Sequence, residues 1–479
     1  MTRSVLCCEY LHLCVRRFVS EIRTSGVIVY RYLLVFFPIW TFAFSPGETR
    51  SQTLEQELSG ALERHPLINS ARFNLREAGE VVDEAFGEFL PEVDLTGDSG
   101  YEYTDSPTRR DDDDPPLSTF RNRLSLSLTQ NVFDGFERSS RFEIAEIDRQ
   151  AALDDLRSTV QTVFLDGSIA YHDVLRFVRL EKIAVANEEN IREQLVLEDE
   201  RVERGGGIAV DVLLAKTRLQ IAKEQRVEIA GLMRDAAIRY REVFAKMPEV
   251  ERMIEPIPPV ELLPQSLEEA TEIALSENPQ VLAQEKATEA ADRQRDIAES
   301  DYYPDLNIVL RGNIEDDVAG IDGTRRDVAA LLELNWKLFD GFTRPARVRQ
   351  ASDAYSNSLS LLSFEKRQVL EEARLAFNQM ETARERVALL ENAVVIAEEV
   401  AVARRRLREA GRDTAVNVLD AETEYFNAQI EFVNASYDAR ISVYRLLAAL
   451  GWLTPGNLDL TNAGNLEEPA YLPSVTIRK

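Results

Sequence analysis

The chain has 479 residues, enough for two or three average domains, and a formal charge of −27, which excludes a broad basic face for nucleic acid. Its three cysteines (Cys7, Cys8 and Cys14) all lie at the extreme N-terminus, so the remainder can form no disulfide or cysteine metal site. His12, His65 and His172 are scattered, no nucleophile elbow, phosphate loop or metal-ligand cluster is present, and the sequence reads as a non-enzyme with no cofactor.

The first element is a presequence over residues 1–45. Arg31 precedes an apolar run from Tyr32 to Phe44, with small residues at Ala43 and Ser45 where a signal peptidase could cut, next to Pro46. The run is shorter than the ~20 residues of a membrane-spanning helix, and Pro38 interrupts it. No cysteine follows, so a lipid-anchored N-terminus is not expected. The long stretch before it, with Arg3, Arg16, Arg17 and Arg23, suggests that translation starts downstream, near Val27 or Val29. Five arginines and two glutamates give residues 1–45 a charge of +3, so the exported body carries about −30.

A first unit spans residues 46–247: a helix, strands at about 91–106 and 118–133, a long helix over 137–204 and a return helix over 208–247. Val93, Leu95, Gly97, Ser99, Tyr101 and Tyr103 share one face of the first strand, and acidic residues and threonines fill the other. In the second, Phe120, Leu124, Leu126, Leu128 and Val132 oppose Arg121, Arg123, Ser125, Ser127 and Thr129. This strand stops at Phe133-Asp134-Gly135-Phe136, a structural corner. Asp134 suits a helix N-cap there and Gly135 supplies φ freedom. No proline follows between Glu137 and Met247, so a rod of roughly 100 Å is expected, doubling back at Gly205-Gly206-Gly207.

A proline-rich linker over 248–266 leads to a second unit over 267–454, which repeats the first. Pro66 to Pro279 and Pro91 to Pro304 are both steps of 213 residues, whereas Phe133 to Phe339 is a step of 206. The first unit's acidic loop, Arg109 to Pro116, accounts for the difference. Strands are expected at about 304–316 and 326–339, the latter ending in a second corner with Asp340 as its cap and Gly341 as its pivot. A long helix over 344–410, a turn at Gly411, a return helix over 414–450 and a tail over 455–479 complete the chain. In the long helix, Leu362, Val369, Ala376, Ala383, Leu390 and Ala397 form a heptad seam, with Ala373, Met380, Val387, Val394 and Ala401 as companions. Ala421, Ala428 and Ala435 continue it, as Ala215, Ala222 and Ile229 do in the first unit. Each strand has about the length that crosses a bilayer at a tilt, and aromatics sit at strand ends. Alternation alone also fits a half-buried soluble sheet, but an export signal favours the membrane. Four strands cannot close a barrel, and an open edge in lipid costs several kcal/mol per unpaired group, so spanning strands require several chains to share one wall.

The doubled architecture, Asn278-Pro279, the paired Phe-Asp-Gly-Phe corners and the stretch from Gly411 to Ala421 together resemble the TolC family of outer-membrane channels. The resemblance covers nearly the whole chain after the presequence. It implies a mainly α fold with a transmembrane β part. Helical hairpins would form a periplasmic α-barrel, and a homotrimer would share one twelve-stranded β-barrel in outer-membrane lipid. It also implies a passive exit duct for small molecules or a secreted polypeptide. The expected partners are a periplasmic adaptor and an inner-membrane transporter of ABC or RND type. The family's mouth acids would fall on Asp211, Asn417 and Asp420, although Asn417 stands where aspartate is common and Asp413 where a basic residue can occur. A secreted periplasmic coiled-coil scaffold or adaptor, without a membrane barrel, is the competing reading.

Overall fold

A computed structural model describes residues 52–111, 115–319 and 321–460. The presequence expected over 1–45 and the tail beyond 460 lie outside the described residues. The first unit comprises α1 (Leu54–Arg64), α2 (Pro66–Gly87), β1 (Glu92–Thr104), a short α3 (Pro107–Asp111), β2 (Leu117–Phe133), α4 (Glu137–Glu203) and α5 (Ala209–Phe244). The second comprises α6 (Leu267–Glu277), α7 (Pro279–Ser300), β3 (Asp305–Asp316), β4 (Thr324–Asn335), α8 (Thr343–Glu409) and α9 (Ala415–Leu450). Corresponding helices match to the residue: α1 and α6 have 11, α2 and α7 have 22, α4 and α8 have 67, and α5 and α9 have 36.

Two expectations need correction. The opening helix of each unit is two helices, because Pro66 and Pro279 have no N–H to donate and force His65 and Asn278 into extended backbone. Pro then serves as the first residue of the second helix, where its missing donor costs nothing. β4 ends at Asn335, earlier than the strand expected to reach 339. The linker is built into the body. Gln52 pairs with Met253 in a parallel bridge, and Tyr171 Oη lies 2.7 Å from the carbonyl oxygens of both Gln52 and Ile254.

At 1.5 Å per residue α4 and α8 are about 100 Å long, whereas α5 and α9 reach back only about half that distance. The half of each rod nearer the sheet packs instead on α2 or α7. Where the two regimes meet, the main core forms: Leu54, Leu58, Phe164, Tyr171, Tyr240, Tyr444 and Leu447 are all buried together. Gly167 sits in this belt, where an added Cβ would meet Leu58 at 2.9 Å and Phe244 at 3.0 Å. Of the heptad seam on α8, Val369, Ala373, Ala376, Met380, Ala383 and Ala401 are buried, but Leu362, Leu390 and Ala397 are only half-buried. The strands form one antiparallel sheet in the order β1-β2-β3-β4. Its central seam joins the two units, with Leu128 opposite Leu310 and a register shift between Asn131 and Phe133. β1 and β4 are left as free edges.

Candidate functional site: sheet face, corners and hairpin tips

The sheet reverses the usual burial of an amphipathic strand. Along β2, Phe120, Leu124, Leu126 and Val132 are exposed while the alternating arginines and serines are shielded. The apolar residues of the other strands are uncovered too: Val93, Leu95, Tyr101 and Tyr103 on β1, Leu310 and Ile314 on β3, and Val328 (90% exposed) and Leu332 (71%) on β4. Along most of the edge strands β1 and β4 the polar positions are exposed as well. The polar side is an ordered network. Arg121 pairs with Asp98 and with Glu102, the latter at 2.9 Å, and Arg123 reaches Glu315 at 3.0 Å across the central seam. Exposed apolar patches of this extent on a sheet mark contact with lipid or another protein. Among the described residues no helix is long and apolar enough to cross a membrane.

The two corners are built alike. Gly135 and Gly341 have φ of 70° and 68°, and the next residues, Phe136 and Phe342, are also left-handed at 71° and 67°. Asp134 and Asp340 are therefore not the N-caps expected; Phe136 and Phe342 occupy that position, with no side-chain cap. Each aspartate works from two residues earlier, because the double left-handed turn swings its carboxylate over the first helical turn. Asp134 Oδ2 accepts from the Arg138 N–H at 3.3 Å and from its Nε at 2.6 Å. Asp340 Oδ2 does the same with Arg344 at 2.9 and 3.1 Å. The arginines then donate to the carbonyls of Glu88 and Asp301, each at 3.2 Å, and stack on Phe89 and Tyr302. Each corner thus locks a strand, a long helix and the end of α2 or α7 into one joint.

At the far ends, Gly205 and Gly411 close each hairpin with left-handed φ of 76° and 70°. Gly205 N–H donates to Val202 O and Gly206 N–H to Arg201 O; Gly411 and Arg412 repeat this with Arg408 O and Leu407 O. Paired bonds of this kind form a Schellman cap. A Cβ on Gly206 would only touch Arg201 O at an ordinary 3.8 Å, whereas one on Gly207 would meet Val202 Cγ2 at 3.0 Å.

The four acid and amide candidates fall into two groups. Asp211, Asp413 and Asn417 gather near Arg408: its Nη2 is 3.5 Å from Asp211 Oδ2, its Nη1 donates to Asp413 O at 2.9 Å, and Asn417 Nδ2 donates to Asp413 Oδ1 at 2.6 Å. Hydrogen bonds from Asn417 and Arg404 and the Thr414 N–H hold the Asp413 carboxyl below the usual carboxylate range. Asp420 is separate, accepting from Arg218 of the other hairpin at 2.7 Å.

Sequence reasoning missed the centre of this cluster. Glu198, almost fully buried on α4, receives Arg408 in a two-pronged pair at 3.0 and 2.5 Å, and Arg201 adds a third contact at 3.0 Å. The hydrogen bonds to Glu198 raise the Arg408 guanidinium above its ordinary value. Nearby, burial raises the Glu422 carboxyl despite Arg405 at 2.9 Å. The available signal was Arg404-Arg405-Arg406-Leu407-Arg408, a basic run beside a turn in an acidic chain. Among the described residues no group of histidine, cysteine and acidic side chains could hold a metal ion.

The model of the outer membrane efflux protein family matches residues 58–244 and 270–452. Among curated relatives, the outer membrane efflux protein BepC of Brucella suis is 26% identical over 88% of this chain and 90% of its own. The alkaline protease secretion protein AprF of Pseudomonas aeruginosa is 27% identical over 71% of each. The crystal structure of the outer membrane protein VceC of Vibrio cholerae superposes with a TM-score of 0.72 at 18% identity, covering 83% of this chain and 96% of that one. With both halves of the repeat matched and the same helix-and-sheet architecture found in solved channels, the chain belongs to the outer membrane efflux protein family.

Proposed function

We propose that three copies of this chain form the exit duct of a tripartite export system. Their twelve strands would close one barrel in the outer membrane, and their helices would enclose a periplasmic tunnel. The observation that carries this reading is the sheet: one face is uncovered and apolar, the other polar, and both edges are open. A periplasmic scaffold would have to hold that face in water. The duct has no energy source of its own, so an inner-membrane transporter of ABC or RND type and a periplasmic adaptor would supply drive and contact at the hairpin tips. BepC is named for efflux and AprF for protease secretion, so small molecules and polypeptides are both candidate cargo. Asp211, Asp413, Asn417 and Asp420 are proposed to line the tunnel's inner mouth. Three sets of these carboxylates would favour cations, moderated by the arginines that Asp211 and Asp420 hold.

The test is fractionation with heat-modifiable migration, followed by planar-bilayer recording. The duct should float with outer membranes, run as a heat-labile oligomer and give cation-preferring conductance. A monomer that stays soluble without detergent overturns it.

A further inference from the structure

The repeat relates β1 to β3 and β2 to β4. Among the described residues the one strand-to-strand seam between units, β2 against β3, therefore specifies what the two free edges should do. Carried through the repeat, the pair Thr129–Val309 becomes Asn335 with Thr96, Leu128–Leu310 becomes Leu334 with Gly97, and Asn131–Asn307 becomes Lys337 with Asp94. We propose that β4 of one copy pairs antiparallel with β1 of a second copy in this register, and that the α2–β1 corner of the second copy seats against Gly341. The inference rests on the trimeric duct proposed above and specifies its subunit seam.

Three observations support the register. First, it keeps the faces aligned. Leu95, Gly97, Ser99, Tyr101 and Tyr103 meet Trp336, Leu334, Leu332, Ala330 and Val328 on the outward side, whereas a one-residue slip would turn one strand's apolar set inward. Second, side-chain sizes interlock. Leu334 falls opposite Gly97, Leu332 opposite Ser99 and Ala330 opposite Tyr101. A Cβ on Gly97 would meet Leu124 at 3.4 Å, an ordinary contact within the sheet, so the room for Leu334 comes from Gly97 having no side chain of its own. Third, the charges fit. Among the described residues neither Lys337 nor Asp94 has an ion-pair partner, and the register places them together. Glu333 comes opposite Asp98, but Arg311 and Arg121 already attend these two.

The corners point the same way. At Gly135 a Cβ would meet Ser300 O at 2.8 Å and Tyr303 Cβ at 2.9 Å, because the α7–β3 corner closes over it. At Gly341, the same turn with the same φ, there is open space. The repeat puts Gly87 and Leu90 of the second copy where Ser300 and Tyr303 stand around Gly135, and Leu90 is exposed in the single chain.

The full chain with Cys7, Cys8 and Cys14 changed to serine tests the register directly. Thr96→Cys is combined in turn with Glu333→Cys, Asn335→Cys or Lys337→Cys, and outer membranes are oxidised and run without reductant. The expected result is a covalent dimer and trimer ladder strongest for Thr96→Cys with Asn335→Cys. A maximum at position 333 or 337, with the oligomer intact by native mass, overturns the register and leaves the trimer standing. No ladder from any pair, with a monomeric mass, overturns both. For the corner, Gly341→Ala and Gly341→Leu share the backbone strain, so their difference reports added volume alone. The heat-labile oligomer should survive better in the alanine variant, and equal survival overturns the proposed seat.

Discussion

Arg408→Met tests what joins the two hairpins of one chain. The change keeps the apolar stem and removes the guanidinium, leaving Glu198, 3% exposed, with Arg201 as its remaining cationic partner at 3.0 Å. Breaking a buried pair from one side costs about 3–5 kcal/mol. Arg201 stays in place and Arg408 itself faces some solvent, which reduces the expected cost to about 2 kcal/mol. Because the pair lies at the tip of long rods, the loss should appear as local opening. Amides of residues 404–417 should exchange about 30-fold faster, while those around Phe164 and Tyr171 in the main core stay unchanged. Glu198→Gln should give a similar effect, and the double variant less than the sum, with a coupling of about 1–2 kcal/mol. Tip exchange that stays within about twofold in Arg408→Met, or strictly additive single effects, would refute the clamp.

His172 supplies a pH prediction. Burial between α4 and α9 lowers its pKa from 6.5 to about 4, outweighing its Nδ1 contact with Ser168 O at 2.7 Å, while Arg440 and Arg176 also disfavour the cation and Glu255 favours it. A depressed histidine stabilises the fold above its unfolded pKa, so about 3 kcal/mol per chain should be lost as pH falls from 6.5 to 4. His172→Phe should flatten denaturation midpoints across that window. Gly205→Ala and Gly411→Ala should each cost about 1 kcal/mol through their left-handed φ, with Gly206→Ala nearly neutral, read as amide exchange at the turns. Asp211→Ala combined with Asp420→Ala should reduce the cation preference of single channels; unchanged selectivity removes both from the mouth.

What could be read from the sequence was whatever the chain writes twice. The corners appear as Phe-Asp-Gly-Phe, the strands as two-residue periods and the turns as glycines, because each depends on neighbours a few positions away. Asp134 and Asp340 sit at the joint their motif predicts but not at the cap position, since composition does not reveal that two successive residues turn left-handed. Pro66 and Pro279 mark the repeat, and each also splits its opening helix by holding the preceding residue in extended backbone. Glu198 and Arg408 are 210 positions apart, and no local pattern links them. A buried acid within a long acidic helix looks like any solvated glutamate until the opposing arginine is placed.

The differences between equivalent positions carry a separate message. α7 packs on both α4 and α8, but its counterpart α2 packs on α4 and leaves Leu67, Phe73 and Val81 exposed. Gly135 is crowded and Gly341 is open. β2 and β3 are paired on both sides, while β1 and β4 are each paired on one. In every case the deficient member is the one whose repeat-related neighbour would have to come from another chain: α8 for α2, the α2–β1 corner for Gly341, and β4 for β1. Surface hydrophobes scattered by chance would not fall at one end of the repeat in helix, corner and strand alike. In the proposed assembly each chain would therefore present two complementary, non-identical surfaces, and such head-to-tail contacts give a ring when the rotation closes. Closure also removes the last free strand edge, which a bilayer requires of any sheet that spans it.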